Sequence, residues 1–355
     1  MLSKRYIQVF AAALSTCAAS YPVLSNPQIG SVSKSPDDPS KLIITGSGFS
    51  FKSHSKPLYF FSFEGNNLSQ QEDASFVTGR EEAKGTFNSE ITPFGKGHSL
   101  QFKVIDDHTN TVLPGINFSS DRLYVYFNRR YNFSIGNEST WGPNGLNLKT
   151  TRIWGDDGNN IYVGYQGKEG SGSGRIYPEY TATGGSVWLG NRLPQVQNQW
   201  TQEEIIYKTS DIGVENGRFD LVRNGNYAHN SSFRMRTSSH DSRYSELYFD
   251  QISNGVNASE GLYIYYDNIY IDDSHHRVYI SDSSQFSEAK KRLIQVPTKW
   301  NDTQIEIIFD NGDISESNSY LYVVDGDGNV NANGAKLCTE NCPSPPNSPE
   351  SLSVQ

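Results

Sequence analysis

Gly217-Arg-Phe-Asp-Leu-Val-Arg-Asn-Gly225, Tyr244-Ser-Glu-Leu-Tyr-Phe-Asp-Gln-Ile252 and Gly261-Leu-Tyr-Ile-Tyr-Tyr-Asp-Asn-Ile-Tyr-Ile-Asp-Asp273 lie in one stretch, Trp200 to Asp273, and their reading decides the fold. Each run is rich in aromatic and β-branched residues and is bounded by Asn, Gly, Ser or Asp, the residues that make turns. Successive side chains of a strand point to opposite faces. In the middle run Leu247 and Phe249 therefore share one face, with Ser245 and Gln251 at its ends. Tyr244, Glu246, Tyr248 and Asp250 share the other. The first face suits a core; the second is aromatic, polar and free for something else.

The same period of two runs outward through the chain. Leu58 to Phe63 is an apolar strand, and Leu100, Phe102 and Val104 alternate within Ser99 to Val104. In Arg122 to Tyr131, Val125 and Phe127 face one way, and Tyr124, Tyr126, Asn128 and Arg130 face the other. Leu148 to Trp154 and Asn160 to Tyr165 flank a turn at Gly155-Asp-Asp-Gly158. Long amphipathic helical patterns are nearly absent, with Ser283 to Leu293 the one fair helical segment. Only 35% of the residues are hydrophobic, yet 12% are aromatic, including 21 Tyr and 18 Phe. Disordered chains lack aromatics, so this composition means many short, half-wet strands. The expected class is all-β, in about two domains for 355 residues.

Residues 1–25 read as a secretory signal: Lys4 and Arg5 precede an apolar run from Ile7 to Ala19 and small-residue cleavage sites at Ala18-Ala-Ser20 or Val23-Leu-Ser25. That run is short for a bilayer span, and no later stretch could cross one. Leu14-Ser-Thr-Cys17 weakly resembles a lipoprotein box, so lipidation and ordinary cleavage both stay open. The chain is expected outside the cytoplasm: secreted, at the cell surface or in the periplasm. Losing Lys4 and Arg5 takes the formal charge from −9 to −11. With no Lys/Arg stripe to offset it, this disfavours nucleic acid as a partner. Cys338 and Cys342 remain, and two Cys in an exported chain suggest one small disulfide loop. No His lies nearby to complete a metal site. Residues 337–355 form a Pro/Ser-rich tail.

Two resemblances organise the rest. Pro27-Gln-Ile-Gly-Ser-Val-Ser33, followed by Lys41-Leu-Ile-Ile-Thr-Gly-Ser-Gly-Phe49, resembles the opening strands of an IPT/TIG domain, an immunoglobulin-like β-sandwich. Its closing strands resemble Trp300 to Gly312 and Tyr320 to Val330, far downstream. This implies a split module, residues 26–56 and 287–336, around a large insert at 57–286. Two unrelated β-domains in series are the alternative. The insert, with its Gly-x-Phe-x-Leu-x-x-Asn-Gly hairpin at 217–225 and the late run Asp267-Asn-Ile-Tyr-Ile-Asp-Asp273, resembles concanavalin A-like lectin/glucanase jelly rolls. That group also includes laminin-G modules and polysaccharide lyases.

Such a resemblance implies a concave sheet face on which sugars stack against aromatic rings while polar side chains fix the hydroxyls. The candidate ligand-binding residues are Tyr124, Tyr126, Asn128, Arg130, Lys149, Arg152, Arg234, Arg236, Glu246 and Tyr248. Arg234 and Arg236 form a cation pair on one strand face that must be answered by a ligand or a carboxylate. Three roles stay open: exported binding of a polysaccharide or glycoconjugate, including matrix interaction; a polysaccharide lyase on an acidic glycan; or a non-catalytic adhesion component. The lyase role would draw on Tyr248, His240 and Arg234. The family's Arg-x-Glu-x-Arg and Gln-x-His motifs are absent, as is the Glu-x-Asp-x-x-Glu of retaining glucanases. Adjacent His275 and His276 point to opposite faces and suit a surface turn. Asp325-Gly-Asp-Gly-Asn329 departs from the calcium loop and suits a hairpin turn. No cofactor motif is present; calcium elsewhere in an Asp-rich jelly roll stays open.

Overall fold

The computed structural model describes residues 26–64, 85–104, 113–135, 146–167, 174–179, 187–188, 195–229, 232–254 and 261–337. The expected signal segment, the Cys338/Cys342 loop and the Pro/Ser-rich tail lie outside the described residues. Among the described residues, twenty-two strands form three antiparallel sheets. No helix there is long and apolar enough to cross a membrane.

Two of the sheets make the sandwich. The larger has nine strands, with Arg122–Tyr131 at its centre between Thr201–Lys208 and Tyr263–Asp272. The second has six strands, in the order Val187–Trp188, Arg175–Glu179, Asn160–Gly167, Leu146–Gly155, Tyr244–Asn254 and Leu113–Asn117. The period-two reading fixes the core between them. Val125 and Phe127 meet Ile153, Val163, Leu247 and Phe249. The Phe127 and Phe249 rings cross edge-on at 5.1 Å, a favoured aromatic geometry. Asn224 (φ 46°) and Gly225 (φ 74°) turn the hairpin between Gly217–Arg223 and Asn226–His229. Positive φ at both central residues is what such a tight hairpin turn needs, and Asn-Gly supplies it most readily.

The third sheet has seven strands and joins both ends of the described chain. Lys41–Ser47 pairs with Gln304–Ile308, more than 250 residues away. Arg292–Trp300 switches partners along its length, from Arg277–Ser281 in its first half to Gln304–Ile308 in its second, with a register break at Pro297. The sheet thereby folds over its own core of Leu42, Ile44, Val278, Ile280, Ile305, Ile307, Leu321 and Val323.

Several expectations change. Arg277–Ser281 belongs to the small sheet, so the chain crosses over at Asp273 to His276 rather than near residue 286. The helical segment expected from Ser283 is one short 3-10 turn, Phe286–Glu288, before a strand beginning at Arg292. His275 and His276 are buried, not a surface turn. His275 Nε2 lies 3.0 Å from the Tyr207 carbonyl. His276 Nε2 lies 2.8 Å from Ser50 Oγ, and its ring crosses Trp300. Asp325 does organise a hairpin turn, accepting from the Asp327 and Asn329 amides.

The small module roofs the outward face of the nine-stranded sheet. Tyr124, Tyr126, Ile206 and Tyr270 on that face form one apolar cluster with Tyr279, Ile294, Tyr322 and Val324 of the small sheet. Tyr124 Oη donates to Glu204 (2.9 Å) and meets Tyr279 Oη at 2.7 Å. The Arg277 guanidinium lies 4.4 Å from the Tyr124 ring centre. Buried Lys52 reaches Asp272 at 2.8 Å. The junction is therefore a third core, in which Tyr124, Tyr279, Glu204, Lys52 and Asp272 find partners, the condition under which buried polarity is tolerated.

Candidate active face of the six-stranded sheet

With one outward face roofed, the other becomes the candidate site. Cross-strand partners in an antiparallel sheet share a face. The register pairs Tyr248 with Arg152, Arg152 with Tyr162, and Tyr162 with Tyr177. One row thus crosses four strands. A second row runs Glu246, Trp154, Asn160, Glu179. Between Lys149 and Thr151 the register shifts. The extra residue puts Lys149 on the same outward face as Arg152 although they are an odd three positions apart, which is how a bulge re-aims a side chain.

These side chains converge. Glu179 takes both cations: Lys149 Nζ sits 3.2 Å from Oε1, and Arg152 Nη2 bonds Oε2. Arg152 Nε donates to Asn160 Oδ1 at 2.8 Å. Its guanidinium stacks 3.8 Å from the Trp154 ring centre, and Lys149 Nζ lies 4.4 Å from that of Tyr162. Arg175 donates to the Tyr162 hydroxyl and lies over Tyr177. Three cations and an aromatic floor thus gather on one face of an acidic chain.

The environment sets the protonation states. Burial, then the neighbouring Arg152 charge, lowers the Lys149 pKa below the usual lysine value, against the pull of Glu179. The amine is thereby moved toward its neutral form. Burial raises the Tyr248 phenol well above its ordinary value, reinforced by its hydrogen bond to the Glu246 carboxylate. Tyr162 is likewise raised, chiefly by burial. Both phenols hold their protons at neutral pH.

The expected site residues divide. Lys149, Arg152, Glu246 and Tyr248 come together here. Tyr124 and Tyr126 do not line a groove: they are under 2% exposed, inside the junction with the small module. Asn128 is buried on the same face. Arg130 is on the large sheet too, over Tyr265 and bonded to Asn198. Arg234 and Arg236 flank buried Met235 beside the edge strand Ser232–Phe233. Arg236 donates to the carbonyls of Asp241 and Ser210 and, among the described residues, makes no ion pair with a carboxylate. His240 closes a turn with Thr237 and sits beside the Gly155–Asn159 turn, beyond the Tyr244 end of its strand. It shares no row with Tyr248. Tyr244 faces the core because the register breaks between it and Glu246. The side chain of Asp250 lies outside the described residues.

Trp154, Tyr162, Arg175, Tyr177 and Glu179 were not singled out from the sequence. The hairpin turn at 155–158 carried the signal for Tyr162, because folding the two strands about that turn sets it against Arg152. Nothing comparable pointed to Glu179.

No protein-family model and no curated protein matches the chain. Among solved structures, an alginate lyase from Aplysia kurodai is 13% identical, with a TM-score of 0.40, covering 61% of this chain and 98% of its own. An endo-β-1,4-glucuronan lyase from Trichoderma reesei is 12% identical, with a TM-score of 0.38, covering 61% and 95%. The receptor-binding domain of botulinum neurotoxin type G is 12% identical, with a TM-score of 0.36, covering 76% and 72%.

Proposed function

We propose that the outward face of the six-stranded sheet binds an acidic polysaccharide and cleaves it by β-elimination, in an exported protein. The observation that carries this reading is the pairing of Lys149, its pKa lowered, with Arg152 on a Tyr- and Trp-lined face. Elimination from a 4-linked uronate needs three groups. A cation must neutralise the carboxylate so that the adjacent C5 proton becomes acidic. A base must take that proton. An acid must protonate O4 as the C4–O4 bond breaks and the C4=C5 bond forms.

Arg152 suits the first role. It is always charged, its planar fork matches a carboxylate, and it is held by Trp154, Asn160 and Glu179. Lys149 suits the second, since burial favours its neutral amine. Tyr248, across the strand pair from Arg152 and held protonated, suits the third. Tyr162 and Tyr177 would stack against the sugar rings. The Lys149–Glu179 ion pair favours the second reading, binding without turnover, because it keeps the ammonium charged.

The test is growth of the unsaturated product's ultraviolet absorbance on a panel of polyuronates. Turnover should fall ~100-fold or more in Lys149→Ala, the ordinary size of a lost general base. In Tyr248→Phe it should fall with little change in KM. The rate should rise with pH as Lys149 deprotonates and fall only above the raised Tyr248 pKa. Retention of a polyuronate with no product from the wild-type chain would leave a binding module; no retention at all would remove the site.

A further inference from the structure

The roof over the nine-stranded sheet is incomplete at one end. There the register pairs Lys208 with Arg122 on one side and with Arg218 on the other. Three cations stand side by side across three strands, about 4.8 Å apart at the usual strand spacing. Like charges directly opposite one another destabilise a sheet.

The row is only partly answered from within. Arg218 Nε donates to Asp220 at 2.6 Å. Arg122 reaches the Gly326 carbonyl and lies 3.6 Å from Asp327. Lys208 is exposed and, among the described residues, makes no ion pair. The row lines a cavity of about 640 Å³ that opens where the large sheet meets the small module. Asp327 and His275 line it from the small-module side, and Tyr227 on the edge strand is 49% exposed. Tyr227 pairs with Val222, which shares the face of Arg218 and Asp220, and it lines the same cavity as the cations.

We propose that this cavity is a second glycan site, an anchor for the carboxylate or sulfate groups of a polyanionic polysaccharide. A row of evenly spaced cations suits a repeating anion better than a single one, and a half-exposed phenol beside it offers a sugar-stacking surface. The site lies on the opposite outward face of the sandwich from Lys149 and Arg152, and it requires no elimination chemistry. A chain bound there would raise the local concentration of substrate for the other face.

The test is titration of the full chain with a linear polyuronate and, in a separate arm, with heparin, at low and moderate salt. Lys208→Glu should weaken binding at least tenfold at low salt and flatten its salt dependence. Lys208→Met and Tyr227→Ala should weaken it several-fold. Both residues are exposed and the Lys208 changes relieve like-charge repulsion, so none of these variants should lower the thermal unfolding midpoint. Lys149→Ala should lose product formation while keeping the Lys208-dependent binding, which separates the anchor from the proposed lyase site. A response in the polyuronate arm alone assigns the anchor to carboxylates, and in the heparin arm alone to sulfates. Wild-type affinity for both polymers in Lys208→Glu would overturn the proposal, as would loss of all binding in Lys149→Ala.

Discussion

The two outward faces of the sandwich begin from the same kind of sequence and end differently. On the Arg122–Tyr131 strand, Tyr124, Tyr126 and Asn128 alternate with core residues; on the Tyr244–Asn254 strand, Glu246 and Tyr248 do so. The first set is sealed under the small module, its phenols bonded to Glu204 and Tyr279 or packed on Ile294. The second is only half-buried and stands in line with Arg152. Alternation says that a side chain leaves the core. It says nothing about what then covers it. A roof turns phenols into structure, and its absence leaves them available for a ligand.

The largest test of that contrast is stability. Tyr124→Ala should cost about 3–5 kcal/mol, the usual range for removing a fully buried ring, because it also strips a donor from buried Glu204. Tyr248→Ala, on the open face, should cost about 1 kcal/mol or less, nearer the range of surface changes. Urea unfolding midpoints of the two variants measure the difference. Equal costs would mean that the open face is as structural as the roofed one.

A smaller effect separates the faces by pH. His275 and His276, at the crossover into the roof, have pKa values lowered to about 3 and about 4, chiefly by burial. Folded, both stay neutral, whereas the unfolded chain takes up protons below about 6.5. Their contribution to stability is therefore complete above about 6.5 and is lost as the pH falls toward 4 and 3. At pH 5 each should cost about 2 kcal/mol. Buried Asp267, its pKa raised by desolvation, acts in the opposite direction, so the reading is a comparison of variants. His276→Gln should lose less stability between pH 7 and pH 5 than the wild type does. An identical loss would show that His276 is not one of the acid-sensitive groups.

The all-β class and the main strand positions were legible because each depends on local alternation and turn residues, whereas nothing local sets the pairing of the two chain ends, which only the resemblance of Trp300 to Gly312 to a closing strand implies. Leu247, Phe249, Val125 and Phe127 fall in the core as period two requires. Errors arose where one residue shifts the period or where a distant segment supplies the neighbour. A register break turns Tyr244 inward. Tyr124 and Tyr126 are buried by residues from 279 to 324. Arg236 is hydrogen-bonded to backbone carbonyls that no composition count reveals. Glu179, which ties Lys149 to Arg152, comes from the strand Arg175–Glu179, past the Gly- and Ser-rich sequence 168–173, so no spacing rule could have found it.

The finest test concerns how closely the open face must be held. Gly115 lies on the edge strand Leu113–Asn117, beneath the ends of Glu246 and Tyr248. A Cβ there would overlap the Glu246 carboxylate and crowd the Tyr248 ring. Glu246 is a flexible chain near the surface, so Gly115→Ala should move this pair rather than unfold the sheet. Stability should change by about 1 kcal/mol or less. If Tyr248 delivers the proton to the departing O4, displacing it should lower turnover roughly tenfold while KM stays within about twofold, since misplacement penalises the reaction more than binding. It should also weaken the hydrogen bond that helps raise the Tyr248 pKa, moving the alkaline limb of the rate profile downward. A Gly115→Ala protein with an unchanged rate and an unchanged alkaline limb would remove Tyr248 from the chemistry and leave it as part of the sugar-stacking surface.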